Sequence, residues 1–117
     1  MRKIKFRAWD SLEKVMLFSA DSDFKFDENG LMGVEKGIEW HGKNNLSFMQ
    51  FTGLHDKNGK EIWEGDILDN GPGYPCPFIS FKDGSFVVGV YEIELRNYAG
   101  ENKEVLGNIY ENPELLK

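Results

Sequence analysis

The stretch Phe78-Ile79-Ser80-Phe81-Lys82-Asp83-Gly84-Ser85-Phe86-Val87-Val88 places Asp83-Gly84 between two short, apolar-rich runs. Asp-Gly in this position is a strong short-range signal for a β-hairpin, because the favoured two-residue turn needs residues that tolerate a positive φ. Gly89 follows directly and predicts a bulge or a sharp bend. The stretch therefore predicts two antiparallel strands.

The start of the chain carries a second β signal. Residues 3–9 (KIKFRAW) alternate polar and apolar side chains, with the period of two that is typical of a half-buried strand. We expect the apolar members to face the core, namely Ile4, Phe6 and Ala8. The basic members then line the opposite face, namely Lys3, Lys5 and Arg7.

Short runs of the same kind continue along the chain. Further strands are predicted at residues 15–18, 46–51, 60–63, 67–68, 91–96 and 104–110. Asn29-Gly30 predicts a hairpin with a type I′ turn, and Asn58-Gly59 predicts another tight turn. Residues 69–77 contain three prolines, so they are predicted to form a loop rather than a central strand. Asn112 and Pro113 predict one terminal helical turn, as its cap and its first residue.

These patterns together favour an all-β fold of the small barrel type. No segment of about ten residues or more carries a clean helical period with caps, whereas short strands separated by turns are typical of barrels and sandwiches. We predict a single domain over residues 1–117. Its sub-halves would be an N-terminal β-layer at 1–51, packed on a small barrel at 52–117 that is SH3-like by analogy.

Composition limits the setting and the partners. The 117 residues carry a formal net charge of −6, which opposes the approach of nucleic acid. A single cysteine, Cys76, cannot form an internal disulfide, which suits a reducing compartment. The sequence has neither a run of about 18 apolar residues nor the apolar segment of a signal peptide. We therefore expect a cytoplasmic protein that does not enter a membrane.

Three segments carry a resemblance to a known family. They are residues 3–10 (KIKFRAWD), 50–67 (QFTGLHDKNGKEIWEGDI) and 105–116 (VLGNIYENPELL). In this order and spacing they resemble the YopX-like family of phage and prophage proteins, from end to end. His55 and Trp63 stand where a lysine and a tyrosine are expected, and both changes leave the turn chemistry intact. The resemblance implies a β-rich fold and a gene carried by a phage or prophage, hence a bacterial host cell, and it brings no accepted activity or cofactor.

Many residues of these segments and of the hairpin are interpreted as structural, because they set turns, caps or close packing. They are Trp9, Gly53, Asp56, Asn58, Gly59, Gly65, Asp66, Asp83, Gly84, Gly107, Asn108, Asn112 and Pro113.

Catalytic and metal chemistry find little support in the sequence. The candidate metal or acid–base residues are His41, His55, Asp56 and Asp66. Zinc needs three or four ligands at close spacing, whereas the two aspartates precede or follow glycines in turn-dense segments and suit turns that bond nearby amides. Cys76 lies between two prolines and has no neighbouring cation to activate it. We predict no catalytic residues, no metal and no cofactor.

The basic face of the first strand has two interpretations. Lys3, Lys5 and Arg7 could contact nucleic acid, with Trp9 and Trp40 as stacking platforms. Alternatively, they pair across strands with Glu92 and Glu94, whose strand has the complementary pattern. We favour the ion-pair ladder.

The tryptophans raise a related choice between binding and packing. Trp9, Trp40 and Trp63 could anchor an interface, and we favour core packing for the first and the last. Self-association would also cover exposed strand edges. The leading hypothesis is a non-enzymatic phage accessory protein that binds a protein partner or itself, and the alternative is a role related to nucleic acid, by direct binding or by interference with a host protein that acts on DNA.

Overall fold

The computed structural model describes residues 4–89, 92–98 and 103–116. They form twelve short β-strands and 3₁₀ helices at Lys43–Asn45, Leu95–Asn97 and Pro113–Leu116. The prediction of an all-β fold is confirmed. The described chain divides into two compact units, residues 4–50 and residues 51–116, which we name the N-terminal unit and the C-terminal unit. The sub-halves and the SH3-like comparison stay predictions.

The first sheet of the N-terminal unit is antiparallel and has a central strand from the start of the chain. Its strands are β1 (Phe6–Asp10), β2 (Val15–Phe18) and the first half of β6 (Leu46–His55). Ala8 in β1 lies opposite Leu17 on one side and Phe48 on the other. Directly opposed residues share a face of an antiparallel sheet. Asp10, two residues after Ala8, therefore lies on this same face.

The second sheet of the N-terminal unit is a three-stranded meander. Its strands are β3 (Asp23–Asp27), β4 (Gly30–Lys36) and β5 (Glu39–Gly42), with β4 in the centre. Phe24 lies opposite Val34, which lies opposite His41. Aromatic rings join the two sheets, because the ring of Phe48 lies 6.3 Å from that of Phe24.

The hairpin at Asn29-Gly30 is present, but its predicted turn type is wrong. Gly30 has a φ of 115°, whereas Asn29 does not adopt the positive φ that a type I′ turn requires of both residues. The amide of Asn29 instead donates to Oδ1 of Asp27 at 2.8 Å. The register pairs Asp27 with Gly30, so Glu28 and Asn29 are the central residues of the turn, and the positive φ falls on the residue after them.

The C-terminal unit is built from short strands around its own apolar core. The strands are β7 (Glu61–Trp63), β8 (Asp66–Leu68), β9 (Ile79–Lys82), β10 (Ser85–Val88), β11 (Ile93–Glu94) and β12 (Val105–Asn108). β7 pairs with the second half of β6, β8 with β12, and β10 with both β9 and β11. The core contains Ile62, Leu68, Ile79, Phe86, Val88, Leu95 and Val105.

The central hairpin of this unit confirms the strongest sequence signal. Asp83 and Gly84 connect β9 to β10 with φ values of 51° and 82°, as a type I′ turn requires. Gly89 has a φ of 72° and its amide donates to the carbonyl of Phe78 at 3.1 Å. The predicted bend therefore occurs at the end of β10. Residues 69–77 contain no strand, as their prolines predicted.

Three predictions about strands need correction. The strand predicted at 46–51 continues to His55 as β6. The strand predicted at 91–96 is limited to β11, because the turn at Gly89 and a positive φ of 52° at Glu92 precede it and a 3₁₀ helix follows it; Tyr91 lies outside the described residues. In β1, Arg7 is only 5% exposed, whereas Ile4, which precedes the strand, is 76% exposed. A central strand buried on both faces does not separate polar from apolar residues.

Candidate functional site

The buried carboxylate of Asp56 joins two segments of the family resemblance. Its Oδ1 accepts the amides of Asn58 at 2.8 Å and Lys60 at 2.9 Å, and its Oδ2 accepts the amide of Val105 at 2.9 Å. Burial by itself raises the pKa of Asp56, but the three backbone donors outweigh it and hold that pKa below its ordinary 3.8. All three of these hydrogen bonds come from backbone amides, so Asp56 acts as a structural clamp.

A second connection involves the Gly65-Asp66 turn. Gly65 has a φ of 88°, its amide donates to the carbonyl of Ile79 at 2.7 Å, and its carbonyl accepts the amide of Ile109 at 2.9 Å. Oδ2 of the buried Asp66 accepts the amide of Trp63 at 2.7 Å. This turn therefore holds β7, β9 and the end of the chain together.

The C-terminal segment contributes a compact cap. Oδ1 of Asn112 accepts the amide of Asn108 at 3.1 Å, and a Cβ at Gly107 would overlap the Asn112 side chain. The carbonyl of Asn112 accepts the amide of Leu115 at 3.1 Å, which begins the 3₁₀ helix that Pro113 leads. Only glycine therefore fits at position 107 beside this asparagine.

The second half of β6 contains a bulge that shapes the surface of the C-terminal unit. Phe51 pairs with Trp63 and His55 with Glu61, so three residues of β6 oppose the single Ile62. Gly53 in the bulge has a φ of 89°. Oγ1 of Thr52 donates to the carbonyl of Ile62 at 2.6 Å and accepts the amide of Leu54 at 3.2 Å. These bonds satisfy backbone groups that the interrupted ladder leaves without a partner strand.

The bulge forms one wall of a groove with a cavity of about 300 Å³. The groove is lined by Thr52, Leu54, Ser85, Phe86, Glu94, Leu95 and Arg96. Leu54, Phe86 and Leu95 provide the apolar surface, and Leu54 also packs against the core of this unit. We name these seven residues the groove.

The polar part of the groove includes an ion pair in which the Arg96 side chain is 78% exposed and the Glu94 side chain is 37% exposed. Oε2 of Glu94 accepts bonds from Nε of Arg96 at 3.2 Å and from Nδ2 of Asn97 at 3.3 Å, while Nη2 of Arg96 lies 3.1 Å away. Oγ of Ser85 lies 3.4 Å from Oε1 of Glu94. The two charges in the groove therefore compensate each other, and the groove can accept an apolar group without leaving a lining charge unpaired.

The two histidines lie in different units and have different environments. Nδ1 of His41 lies 2.6 Å from Oδ2 of Asp10, and both side chains are buried in the N-terminal unit. His55 is exposed, and its ring lies 5.8 Å from that of Phe51. Within the described ranges, no group of three or more His, Cys, Asp or Glu side chains is placed to hold a metal ion. Cys76 is a half-buried free thiol in the 69–77 loop.

The predicted basic stripe is not reproduced at Arg7. Arg7 is buried, Lys5 is half-buried and Lys3 lies outside the described residues. The acidic residues predicted to complement the stripe have nearby partners in the C-terminal unit, since Glu92 bonds Lys82 at 2.8 Å and Glu94 bonds Arg96.

The tryptophans differ in exposure. Trp9 and Trp63 are buried, as the core interpretation expects, so neither offers an open stacking face. Trp40 is 54% exposed, and its ring covers Gly33, where a Cβ would overlap it.

Sequence reasoning did not find the groove. Its residues are drawn from positions 52–54, 85–86 and 94–96, which share no motif. An isolated glycine in a strand often marks a bulge, but the predicted strand ended at residue 51 and Gly53 was interpreted as a turn residue, whereas β6 continues to His55.

The fold and the groove define a class: a small protein of short β-strands with a bulge-built apolar groove. The chain belongs to the YopX protein family, which matches residues 5–117. It is similar to the crystal structure of protein EF1440 from Enterococcus faecalis, with 31% identity, a TM-score of 0.76 and full coverage of both chains. The crystal structure of protein yopX from Bacillus subtilis has the same fold, with 22% identity, a TM-score of 0.71 and coverage of 100% of this chain and 98% of that one. No curated protein matches the sequence of this chain. Among the described residues, the helices are too short to cross a membrane.

Proposed function

We propose that this YopX family member is a non-enzymatic accessory protein of a phage or prophage, and that it binds a protein partner in the host cytoplasm through the groove. The observation that carries the proposal is the combination of apolar lining and compensated charge in the groove. The phage setting rests on the family resemblance.

The size and lining of the groove favour an apolar side chain from a protein segment. A cavity of about 300 Å³ lies at the small end of the range for ligand pockets. Burying an aliphatic or aromatic side chain against Leu54, Phe86 and Leu95 is favourable in proportion to the apolar area removed from water. The bound segment thus presents a Leu, Ile, Met or Phe side chain and no charge at that point.

The state of Glu94 supports binding rather than catalysis. A general base needs a carboxylate within reach of a substrate proton, whereas Glu94 already accepts bonds from Arg96 and Asn97. Ser85 bonds that same carboxylate and has no histidine among the groove residues to activate it.

The test compares the groove with a matched surface position. Leu54→Arg places a charge in the groove, and Leu12→Arg places the same charge on a leucine that is 69% exposed in the N-terminal unit. Each tagged variant is used for pull-down from infected or lysogenic host lysate, with and without nuclease, after circular dichroism and thermal unfolding show that it is folded. A partner of the groove is retained by the wild type and Leu12→Arg, lost by Leu54→Arg, and insensitive to nuclease.

A selection from a random peptide library defines the partner chemistry independently. Peptides that the wild type enriches are expected to share an apolar residue, and Leu54→Arg is expected to lose them. Recovery of material that nuclease removes supports the nucleic-acid alternative instead. Equal retention by Leu54→Arg and wild type contradicts a groove-based function.

A further inference from the structure

The strand β3 forms an open edge of the N-terminal unit. In the part of the chain that the structure describes, β3 pairs only with β4, and four of its five residues are exposed. An edge strand offers backbone donors and acceptors to a further strand. The irregularity in the β3–β4 ladder lies between Lys25 and Phe26, where Met32 is the extra residue on β4. β3 itself is therefore regular and suited to pairing on its outer side.

The sequence of β3 is symmetric about its centre. Asp23-Phe24-Lys25-Phe26-Asp27 reads the same in both directions. Successive side chains alternate between faces, so both phenylalanines lie on one face and the three charges on the other. Lys25 bonds Asp23 in the same strand at 2.9 Å and lies 4.0 Å from Glu35 of β4; its side chain is 46% exposed and that of Asp23 is 68% exposed.

The aromatic face of β3 is only partly covered. The ring of Phe26 lies 6.1 Å from that of Phe6 and 6.0 Å from that of Phe48, yet Phe26 is 50% exposed. Phe26 belongs to the edge strand of this sheet. An additional strand beside β3 would extend the aromatic layer and remove this apolar surface from water.

We propose that β3 pairs with β3 of a second copy of this chain, antiparallel, with Lys25 opposite an aspartate of the other copy. A two-fold axis beside Phe26 places Lys25 opposite Asp27 of the second copy, and an axis beside Phe24 places it opposite Asp23. Both registers set one phenylalanine against its own counterpart. An axis beside Lys25 would instead oppose lysine to lysine and aspartate to aspartate, which is unfavourable.

A second copy fits this edge better than a strand of arbitrary sequence. The net charge of −6 opposes self-association in general, so a local pattern has to compensate for it. The acidic-basic-acidic order supplies two opposite-charge pairs by symmetry, and the same symmetry closes the contact as a dimer. The contact is short, so we expect a dimer that dissociates on dilution.

The test exchanges the charges of β3 between two chains. Lys25→Glu makes the charged face of β3 wholly acidic. Asp23→Lys combined with Asp27→Lys makes the same face wholly basic. By sedimentation velocity, each variant alone is expected to have its dissociation constant raised at least about tenfold over wild type, since every opposed pair becomes like-charged. An equimolar mixture of the two variants is expected to regain a dimer of twice the 13.4 kDa chain mass.

Controls separate this contact from general charge and folding effects. Lys57→Glu makes the same charge change at an exposed turn of the C-terminal unit and should leave the dimer unchanged. In wild-type protein, amide exchange at residues 23–27 should slow as concentration rises, which needs no variant to fold. Asp27 also accepts the amide of Asn29, so the basic variant is checked by thermal unfolding.

Three results overturn the proposal. They are a wild-type chain that is monomeric throughout the concentration range, a dimer that both charge variants retain, and failure of the mixture of folded variants to associate. The proposal does not depend on the groove, because Leu54→Arg should dimerise as the wild type does. Loss of groove binding and loss of dimerisation are thus separate outcomes.

Discussion

Two turns, one in each unit, use the same local device with different distant partners. After β1, Oδ1 of Asp10 accepts the amides of Leu12 at 2.9 Å and Glu13 at 3.0 Å. After β6, Oδ1 of Asp56 accepts the amides of Asn58 and Lys60. The second carboxylate oxygen has a different partner in each turn. Oδ2 of Asp10 lies 2.6 Å from Nδ1 of His41, whereas Oδ2 of Asp56 accepts the backbone amide of Val105 in β12.

The difference lies in what each partner can tolerate. A backbone amide can only donate a hydrogen bond, so position 56 requires an acceptor on both oxygens. A neutral imidazole nitrogen donates in one tautomer and accepts in the other, so position 10 can exchange roles with His41. Burial raises the pKa of each carboxyl, and hydrogen bonds outweigh it, so both pKa values lie below the ordinary 3.8.

The largest expected effect is that of Asp56→Ala. Three amides lose their acceptor, and we expect a loss of about 3 kcal/mol in the free energy of unfolding by urea. The matched control is Asp69→Ala, which removes the acceptor of one backbone amide, that of Gly71 at 3.0 Å. If the free energy of unfolding falls equally in both variants, the bond from Val105 contributes no measurable stability.

Asp56→Asn should be intermediate. The amide oxygen can still serve Asn58 and Lys60, but the NH₂ group then faces the amide of Val105 as donor against donor. We expect a loss of about 2 kcal/mol, measured by the same unfolding experiment. A stability equal to that of wild type would show that the segment around Val105 moves away without cost.

Acidification should weaken the hydrogen bonds that the carboxylates of Asp10 and Asp56 accept. A carboxyl whose folded pKa lies below its unfolded value, about 3.9, stabilises the fold above that value and loses the contribution as pH falls through the folded pKa. The free energy of unfolding should therefore fall below about pH 4, and fall less steeply in Asp56→Ala. Parallel curves for wild type and variant between pH 5 and pH 3 would contradict the lowered pKa.

The smallest expected effect is that of Asp10→Asn. The oxygen keeps the amides of Leu12 and Glu13, and the NH₂ group can donate to Nδ1 of His41 after a tautomer change. We expect a loss below about 1 kcal/mol, and the ratio to Asp56→Asn is the sharpest measure of the comparison. A loss as large as that of Asp56→Asn would mean that the negative charge of Asp10, rather than its geometry, holds His41.

The residues that form local turns could be predicted from the sequence, whereas their distant hydrogen-bond partners could not. Asp83-Gly84 predicts its hairpin because the conformational requirement lies within those two residues. Asp56 was interpreted as a turn residue, and it accepts the amides of Asn58 and Lys60, but its bond to Val105 spans 49 positions and has no local signal. The pairing of Asp10 with His41 across 31 positions was missed for the same reason.

The prediction of which side chains face solvent was wrong where burial does not follow the alternation of polar and apolar residues. The period of two in residues 3–9 predicted that Arg7 would be exposed, yet β1 is the central strand of its sheet and both faces are buried. Periodicity reports a difference between two faces, so it cannot show which strand is covered on both. The groove likewise required knowledge of which distant residues lie beside the bulge at Gly53.

The sequence by itself determined the class of fold, the position of its tightest turns and the family, because these depend on residues that are adjacent or nearly so. Tertiary structure alone decided that Arg7 and His41 are buried, that Leu54 meets Phe86 and Leu95, and that β3 is left at an edge. Each of these depends on strand order and register, which are set by the free energy of packing the whole chain rather than by any single segment.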